Sequence, residues 1–224
     1  MARRPPSAGG DIFSRVQQPT GALSRIGPGT DARTRTLGPM TTALPRAGRP
    51  ADLPQFDEPG RPLVVLCSGN HLLTPKQDVE AHLARHLTAF ANILFVDPPI
   101  SPQGARRRPE LAETIGGPRL RRISARLAHL TPVVAPKPFT RVTTPLTAAV
   151  VRRTLRRAVE LLDADDVTII TTWPFCDVTG AVERATMVYW RTDDPVAAAP
   201  LWRLDRSMLE RGDERMVRRC DVVA

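Results

Sequence analysis

The chain has 224 residues, and 42% of them are hydrophobic, enough for a packed core in one domain with a tail or in two small domains. No run of about 18 consecutive apolar residues occurs, which excludes an ordinary transmembrane helix. The opening sequence MARRPPSAGG is basic but is not followed by an apolar stretch, so we expect no secretory signal.

The formal net charge is +9, and Lys76 and Lys137 are the two lysines among 32 basic residues. Such a balance suggests a polyanionic partner, which could be nucleic acid, an acidic membrane surface or a phosphorylated substrate. The joint excess of arginine, alanine and proline also fits a GC-rich genome. Because aromatic residues make up 4% and no nucleic-acid-binding motif is present, we expect no nucleic-acid partner. Peripheral contact with a membrane stays open.

Three cysteines lie far apart in the sequence: Cys67, Cys176 and Cys220. Their spacing fits neither a metal site nor a disulfide framework, which predicts reduced thiols and a cytoplasmic protein. Cys67 falls inside an apolar run, where a thiol is usually inert.

The first 60 residues differ from the rest. Proline and glycine account for 17 of them but for only 20 of the remaining 164 residues. Their apolar residues follow no period of 2 or 3.6. We therefore predict a disordered tail over 1–60 and a folded domain over 61–224.

The domain begins with a predicted β-α-β unit. A continuous apolar run over 63–67 is typical of a buried strand, and a helix is expected from about Lys76. A second buried strand over 92–96 stops at Asp97 and two prolines, where Asp97 is interpreted as a turn residue. The predicted buried face of the helix consists of Val79, Leu83, Leu87 and Phe90.

The same alternation continues to the end of the chain. After a loop over 101–118 and one or two short strands within 120–134, a helix is expected over 143–162, with Arg152, Arg153, Arg156 and Arg157 on a solvated face. Later elements are a strand over 167–171, a short helix over 176–183, a strand over 186–190, a helix over 201–219 and the start of a strand at 221–224. The pattern predicts an α/β fold with a doubly wound, mainly parallel, Rossmann-like sheet.

Ligands of such sheets bind at the carboxyl ends of the strands. The loop after the first strand carries Ser68, Gly69, Asn70 and His71, and Gly69 would let a ligand approach the backbone closely. The loop matches neither G-x-G-x-x-G nor a phosphate-binding P-loop, so a dinucleotide cofactor is not expected.

Other candidates follow later strands or lie on the first helix. Asp193 and Asp194 end a strand, where they could orient a ligand or cap the next helical turn. Trp173 could stack on a sugar or simply pack. His82 and His86 are one helical turn apart, but no third ligand accompanies them, so no metal is expected. His82 could point into the ligand cleft.

The residues also carry a family resemblance. The segments 64–70, 82–85 and 93–99, together with Tyr189 to Asp194 and Arg218 to Ala224, resemble in order and spacing the N-terminal domain of bacterial GT-B glycosyltransferases of the family 4 type. The likeness covers about residues 61–224. Trp190 stands where that group has an aspartate after the tyrosine.

The resemblance implies transfer of a sugar, with retention or inversion at its anomeric carbon, from a nucleotide-activated donor to a glycan, lipid or small-molecule acceptor, without a bound metal or cofactor. This chain would be the acceptor-side half, and the donor domain would be absent, as in a truncated or split protein. His82, Asp193 and Asp194 would then be catalytic, and Ser68, Gly69, Asn70, His71 and Trp173 would bind substrate. The alternative is a non-catalytic Rossmann-like binding module or partner subunit.

Overall fold

The described part of the chain contains seven strands, and its buried strands are short apolar runs separated by polar loops. The computed structural model describes residues 55–58, 60–73, 79–107, 111, 117–191 and 193–224. In chain order the strands are β1 (Leu63–Cys67), β2 (Asn92–Val96), β3 (Leu120–Ser124), β4 (Leu127–Leu130), β5 (Val167–Thr171), β6 (Thr186–Tyr189) and β7 (Val222–Val223).

These strands make one sheet in the order β3-β4-β2-β1-β5-β6-β7. β1 lies at its centre, where Val65 pairs in parallel with Leu94 of β2 and Ile169 of β5. The hairpin of β3 and β4 is antiparallel, and the other pairings are parallel. The predicted α/β class with a mainly parallel sheet is confirmed, and so are the short strands expected within 120–134.

Five helices connect the strands in the described part of the chain: α1 (Val79–Leu87), α2 (Pro102–Arg106), α3 (Thr143–Leu161), α4 (Ala199–Trp202) and α5 (Arg206–Arg219). α2 lies within the expected loop, and the Ser101 side chain caps it by accepting the Gly104 amide at 3.0 Å. No helix of the described ranges combines the length and the apolar character that crossing a membrane requires.

Helices cover both faces of the sheet. Leu63 and Val65 of β1 pack in one core cluster with Val151 and Leu155 of α3. Leu66, on the opposite face of β1, packs in a second cluster that includes residues of α1. This alternation is what a doubly wound sheet requires, because side chains of successive strand residues point to opposite faces.

The buried face of α1 agrees only in part with the prediction. Leu83 and Leu87 pack against the core as predicted, but the fully buried core residues of the helix are the small Ala81 and Ala84. Val79 is 65% exposed and Phe90 is 76% exposed, so neither belongs to the core as predicted. Lys76, the predicted start of this helix, lies outside the described residues.

The short helix predicted over 176–183 is absent, because side chains satisfy the backbone there in another way. The Asp177 carboxylate accepts the Thr179 amide at 3.0 Å, a turn that competes with a helix. Arg152 donates to the Asp177 carbonyl at 2.9 Å, and Arg156 donates to the Ala181 carbonyl at 3.1 Å. The predicted solvated face therefore holds for Arg153, Arg156 and Arg157, which are exposed, but not for the half-buried Arg152.

The single helix predicted over 201–219 is divided in two. Arg203 adopts a left-handed conformation with φ of 54°, which ends α4. Asp205 then starts α5, and its side chain accepts the Met208 amide at 2.8 Å. An aspartate that can cap a helix, inside the predicted helix, is the sequence signal that a second helix starts here.

Most of the predicted tail lies outside the described residues, since 1–54 are not among them. Its last residues contact the domain. Asp57 forms an ion pair with Arg122, and Glu58 forms ion pairs with Arg61 and Arg126. Asp57 and Glu58 therefore contact the folded part of the chain, and the boundary at residue 60 stays a prediction.

Candidate functional site

A cavity of about 770 Å³ opens at the carboxyl ends of the parallel strands. The loops after β1, β2, β5 and β6 reach it, as does α4, so it lies where ligands of open α/β sheets bind. We call it the carboxyl-edge cavity. Residues that line it include Gly69, Asn70, His71, Glu80, Asp193 and Trp202.

Asp97 is a buried carboxylate that links the loops of this region by hydrogen bonds. It follows β2 directly and is 1% exposed. Its Oδ1 accepts the backbone amide of Leu72 at 2.9 Å, and its Oδ2 accepts the hydroxyl of Thr131 at 2.9 Å. The carboxylate therefore ties the loop after β1 to the residue that follows β4. Interpreting Asp97 as a simple turn residue is wrong.

Two histidines approach the same carboxylate. Nε2 of His129 lies 2.8 Å from Oδ2 of Asp97, and Nδ1 of His71 lies 3.2 Å from it. The guanidinium of Arg121 donates to Nδ1 of His129 at 3.0 Å. Because that nitrogen accepts, the proton of a neutral His129 ring belongs on Nε2, the atom that faces Asp97.

The carboxylate stays ionised despite its burial. Burial raises the pKa of Asp97, but hydrogen bonding to His129 and His71 outweighs it and brings the pKa well below its usual value. An anion at this distance favours a proton on Nδ1 of His71. His71 itself is one of the residues that line the cavity.

The loop after β1 divides into a buried and an exposed part. Ser68 is fully buried, its hydroxyl accepts the Asn70 amide at 3.0 Å, and its carbonyl accepts the indole N–H of Trp173 at 2.6 Å. Gly69, Asn70 and His71 line the cavity, as expected of a binding loop. The buried Ser68 side chain holds the loop, and the predicted contact of Ser68 with substrate stays a prediction.

Trp173 is fully buried and stacks on Phe175, with ring centroids 6.0 Å apart. Of its two proposed roles, packing is the one observed, and stacking on a sugar is wrong. Trp202 of α4 is the indole that lines the cavity, and it is 39% exposed. No sequence pattern singled it out, since it lies among alanines and leucines of a predicted helix.

His82 is exposed on α1 and does not line the cavity. Its predicted place in the cleft is wrong, because the helix presents Glu80 there, at 8% exposure. The two residues are two positions apart on the helix, so they point to different sides.

The two aspartates after β6 have different surroundings. Asp193 lines the cavity and is exposed. Asp194 accepts the amides of Ala197 at 3.1 Å and Val196 at 2.9 Å, and these bonds lower its pKa. Capping is therefore a role observed for Asp194, and its catalytic role stays a prediction.

Sequence reasoning did not consider His129 and underestimated Asp97. A histidine within the apolar strand β4 was the available signal, because a buried imidazole needs a polar partner. Within the described ranges, no group of three or more histidine, cysteine, aspartate or glutamate side chains is arranged to hold a metal ion.

Comparison with known proteins gave a negative result. No family model and no curated protein matches this chain.

Proposed function

We propose that this domain is the acceptor-side half of a glycosyltransferase and that the carboxyl-edge cavity binds the sugar acceptor. The observation that carries the proposal is His71, which lines the cavity with Nδ1 3.2 Å from the buried carboxylate of Asp97. The mainly parallel sheet and the sequence resemblance support it as well. The nucleotide sugar would be held by a second domain, as that resemblance implies.

His71 and Asp97 have the arrangement of a general base and its orienting group. In a single displacement, Nε2 of His71 would take the proton of an acceptor hydroxyl while the hydroxyl oxygen bonds to the anomeric carbon of the donor. The bond from that carbon to the nucleoside diphosphate would break, and the diphosphate would leave. Asp97 would fix the ring and stabilise the imidazolium that forms.

The cavity walls suit an acceptor that is a sugar. Trp202 offers an apolar surface, while Asn70, Glu80 and Asp193 offer polar atoms for hydroxyl groups. Among the described residues, Arg203 is the single arginine or lysine that lines the cavity, so they supply no cluster of cations for a diphosphate there. This balance favours a glycan over the nucleotide sugar at this position.

Binding measurements test this assignment of the two substrates. The full chain is applied to an array of glycans and lipid-linked sugars, and nucleotide sugars are titrated by calorimetry. We expect binding to a subset of the glycans, reduced about ten-fold or more by Trp202→Ala. The matched control is Phe90→Ala, which removes an exposed aromatic side chain outside the cavity.

Tight binding of nucleotide sugars without glycan binding would contradict the acceptor-side assignment. Glycan binding by the chain, with no sugar transfer when a nucleotide-sugar-binding domain is supplied, would instead favour the non-catalytic binding module.

A further inference from the structure

A second concave surface lies between α3 and α5, and its charge differs from that of the carboxyl-edge cavity. It encloses about 590 Å³ and is lined by five arginines but by one acidic residue, Asp177. We call it the basic cleft. The arginines are Arg141, Arg152, Arg211, Arg215 and Arg219.

Three of the five arginines repeat along one helix. Arg211, Arg215 and Arg219 are four residues apart on α5 and so share a face of the helix. Like charges at this spacing repel each other. The fold therefore concentrates positive charge on one face of α5.

A glycine brings this helix close to the adjoining loop. A Cβ atom on Gly212 would lie 1.8 Å from the carbonyl oxygen of Pro174, so α5 can approach the loop only with glycine at this position. Pro174, Phe175 and Met208 contribute an apolar part of the cleft surface. The arginines thus surround a shaped cavity rather than a flat surface.

Acidic groups neutralise only part of the charge. Asp177 pairs with Arg219 at 2.7 Å, and its carbonyl accepts Arg152 at 2.9 Å. At the margin of the cleft, Asp205 has a lowered pKa, mainly through Ser207 and the Met208 amide and to a lesser degree through Arg141 and Arg211. Two carboxylates therefore face five guanidinium groups.

We propose that the basic cleft is a binding site for a ligand that carries phosphate groups. Guanidinium groups match phosphate oxygens in geometry and charge, and several of them around one cavity can hold a dianion. The phosphate could belong to a soluble phosphorylated molecule or to a lipid headgroup. Phe175 is shared with the carboxyl-edge cavity, but the inference does not depend on sugar transfer.

The test compares two double variants of α5 that remove the same charge. Arg211→Gln with Arg215→Gln changes the cleft, and Arg206→Gln with Arg218→Gln is the control, because neither Arg206 nor Arg218 lines the cleft. All four side chains are exposed, so both variants should fold, which circular dichroism checks. The probe is inorganic pyrophosphate, titrated into the full chain by calorimetry at constant ionic strength.

We expect pyrophosphate to bind the wild-type chain, with affinity reduced about ten-fold or more in the cleft variant and about two-fold or less in the control. Sedimentation with phosphatidylglycerol vesicles, against phosphatidylcholine vesicles, identifies the source of the phosphate. Vesicle binding that the cleft variant loses and the control keeps indicates a headgroup. Pyrophosphate binding without such vesicle binding indicates a soluble ligand.

Three results would overturn the proposal. One is equal loss in both double variants, which would reflect overall charge. Another is the absence of both pyrophosphate binding and cleft-dependent vesicle binding. The third is cleft-dependent binding of an RNA oligonucleotide without binding of pyrophosphate.

Discussion

Nε2 of His129 lies 2.8 Å from Oδ2 of Asp97, and the side chains of both residues are 1% exposed. The contact joins the ends of β2 and β4, two neighbouring parallel strands. Because Asp97 also contacts His71, this buried pair holds the residue to which we assign the chemistry. Stability and function should therefore both depend on one carboxylate.

Replacing that carboxylate should destabilise the domain strongly. Asp97→Ala leaves the Leu72 amide, the Thr131 hydroxyl and His129 without their buried acceptor. We expect a loss of about 3–5 kcal/mol in the free energy of unfolding, measured by urea denaturation. The control is Asp165→Ala, an exposed residue whose replacement should change the free energy by about 0.5 kcal/mol or less. Similar values for both variants would show that the carboxylate contributes little.

The same carboxylate predicts how stability depends on pH. Burial opposes ionisation of Asp97, but His129 and His71 favour it more, so its pKa in the folded state lies below the value of about 3.9 in an unfolded chain. Its contribution is complete above that unfolded value and is lost as pH falls through the folded value. The difference in unfolding free energy between wild type and Asp97→Asn should therefore shrink as pH falls from about 4 to about 2, below the unfolded value. A difference that stays constant or grows between about pH 4 and about pH 2 would contradict this explanation.

Substitution by alanine should affect the free energy of unfolding very differently at two of the glycines. Gly212→Ala places a Cβ atom 1.8 Å from a backbone oxygen of Pro174, so α5 must move, and we expect a loss of about 3 kcal/mol or more. Gly69→Ala meets its nearest atoms, on Glu80 and Thr172, at 3.7 Å, an ordinary contact. Its unfolding free energy should change by about 0.5 kcal/mol or less. Thermal unfolding of the two variants measures the contrast, and equal loss would indicate a different position for α5.

All three cysteines should react slowly in the native protein. Burial raises the pKa of Cys67 well above its usual value, and that of Cys176 to about 12. Burial, together with Asp177 and Asp221, raises the pKa of Cys220 to about 11. Since the thiolate is the reactive form, alkylation by iodoacetamide at pH 8 should be roughly hundred-fold slower than in urea. Peptide mass spectrometry measures each site, and fast labelling of Cys220 would show that its surroundings are more open.

The sequence predicts the centre of the fold well because buried parallel strands are continuous apolar runs. The runs that form β1, β2 and β5 were interpreted only as strands, and turn residues lie at both ends of each run. Helix boundaries were predicted less well, because side-chain contacts across the fold decide them. Arg152 and Arg156 of α3 bind the carbonyls of 177 and 181, which no local pattern reveals.

The sequence predicted where the candidate site lies better than it predicted which side chains form it. The rule that ligands meet the carboxyl ends of strands predicted a site at Gly69, Asn70, His71 and Asp193, and these four residues line the cavity. The choice between His71 and His82 needed the orientation of α1, which depends on packing of Ala81 and Ala84. Likewise, the burial of Trp173 and the exposure of Trp202 follow from tertiary contacts.

The central claim is that His71, oriented by Asp97, activates a sugar acceptor. The most direct measurement is the rate of sugar transfer from a panel of nucleotide sugars, with the full chain supplied with a nucleotide-sugar-binding domain. His71→Gln should lower kcat by about 10²–10⁴-fold and alter the pH profile of the rate. His82→Gln, the same change at an exposed histidine outside the cavity, should leave kcat within about two-fold of wild type, as a surface substitution should. Equal rates for His71→Gln and wild type would contradict the account.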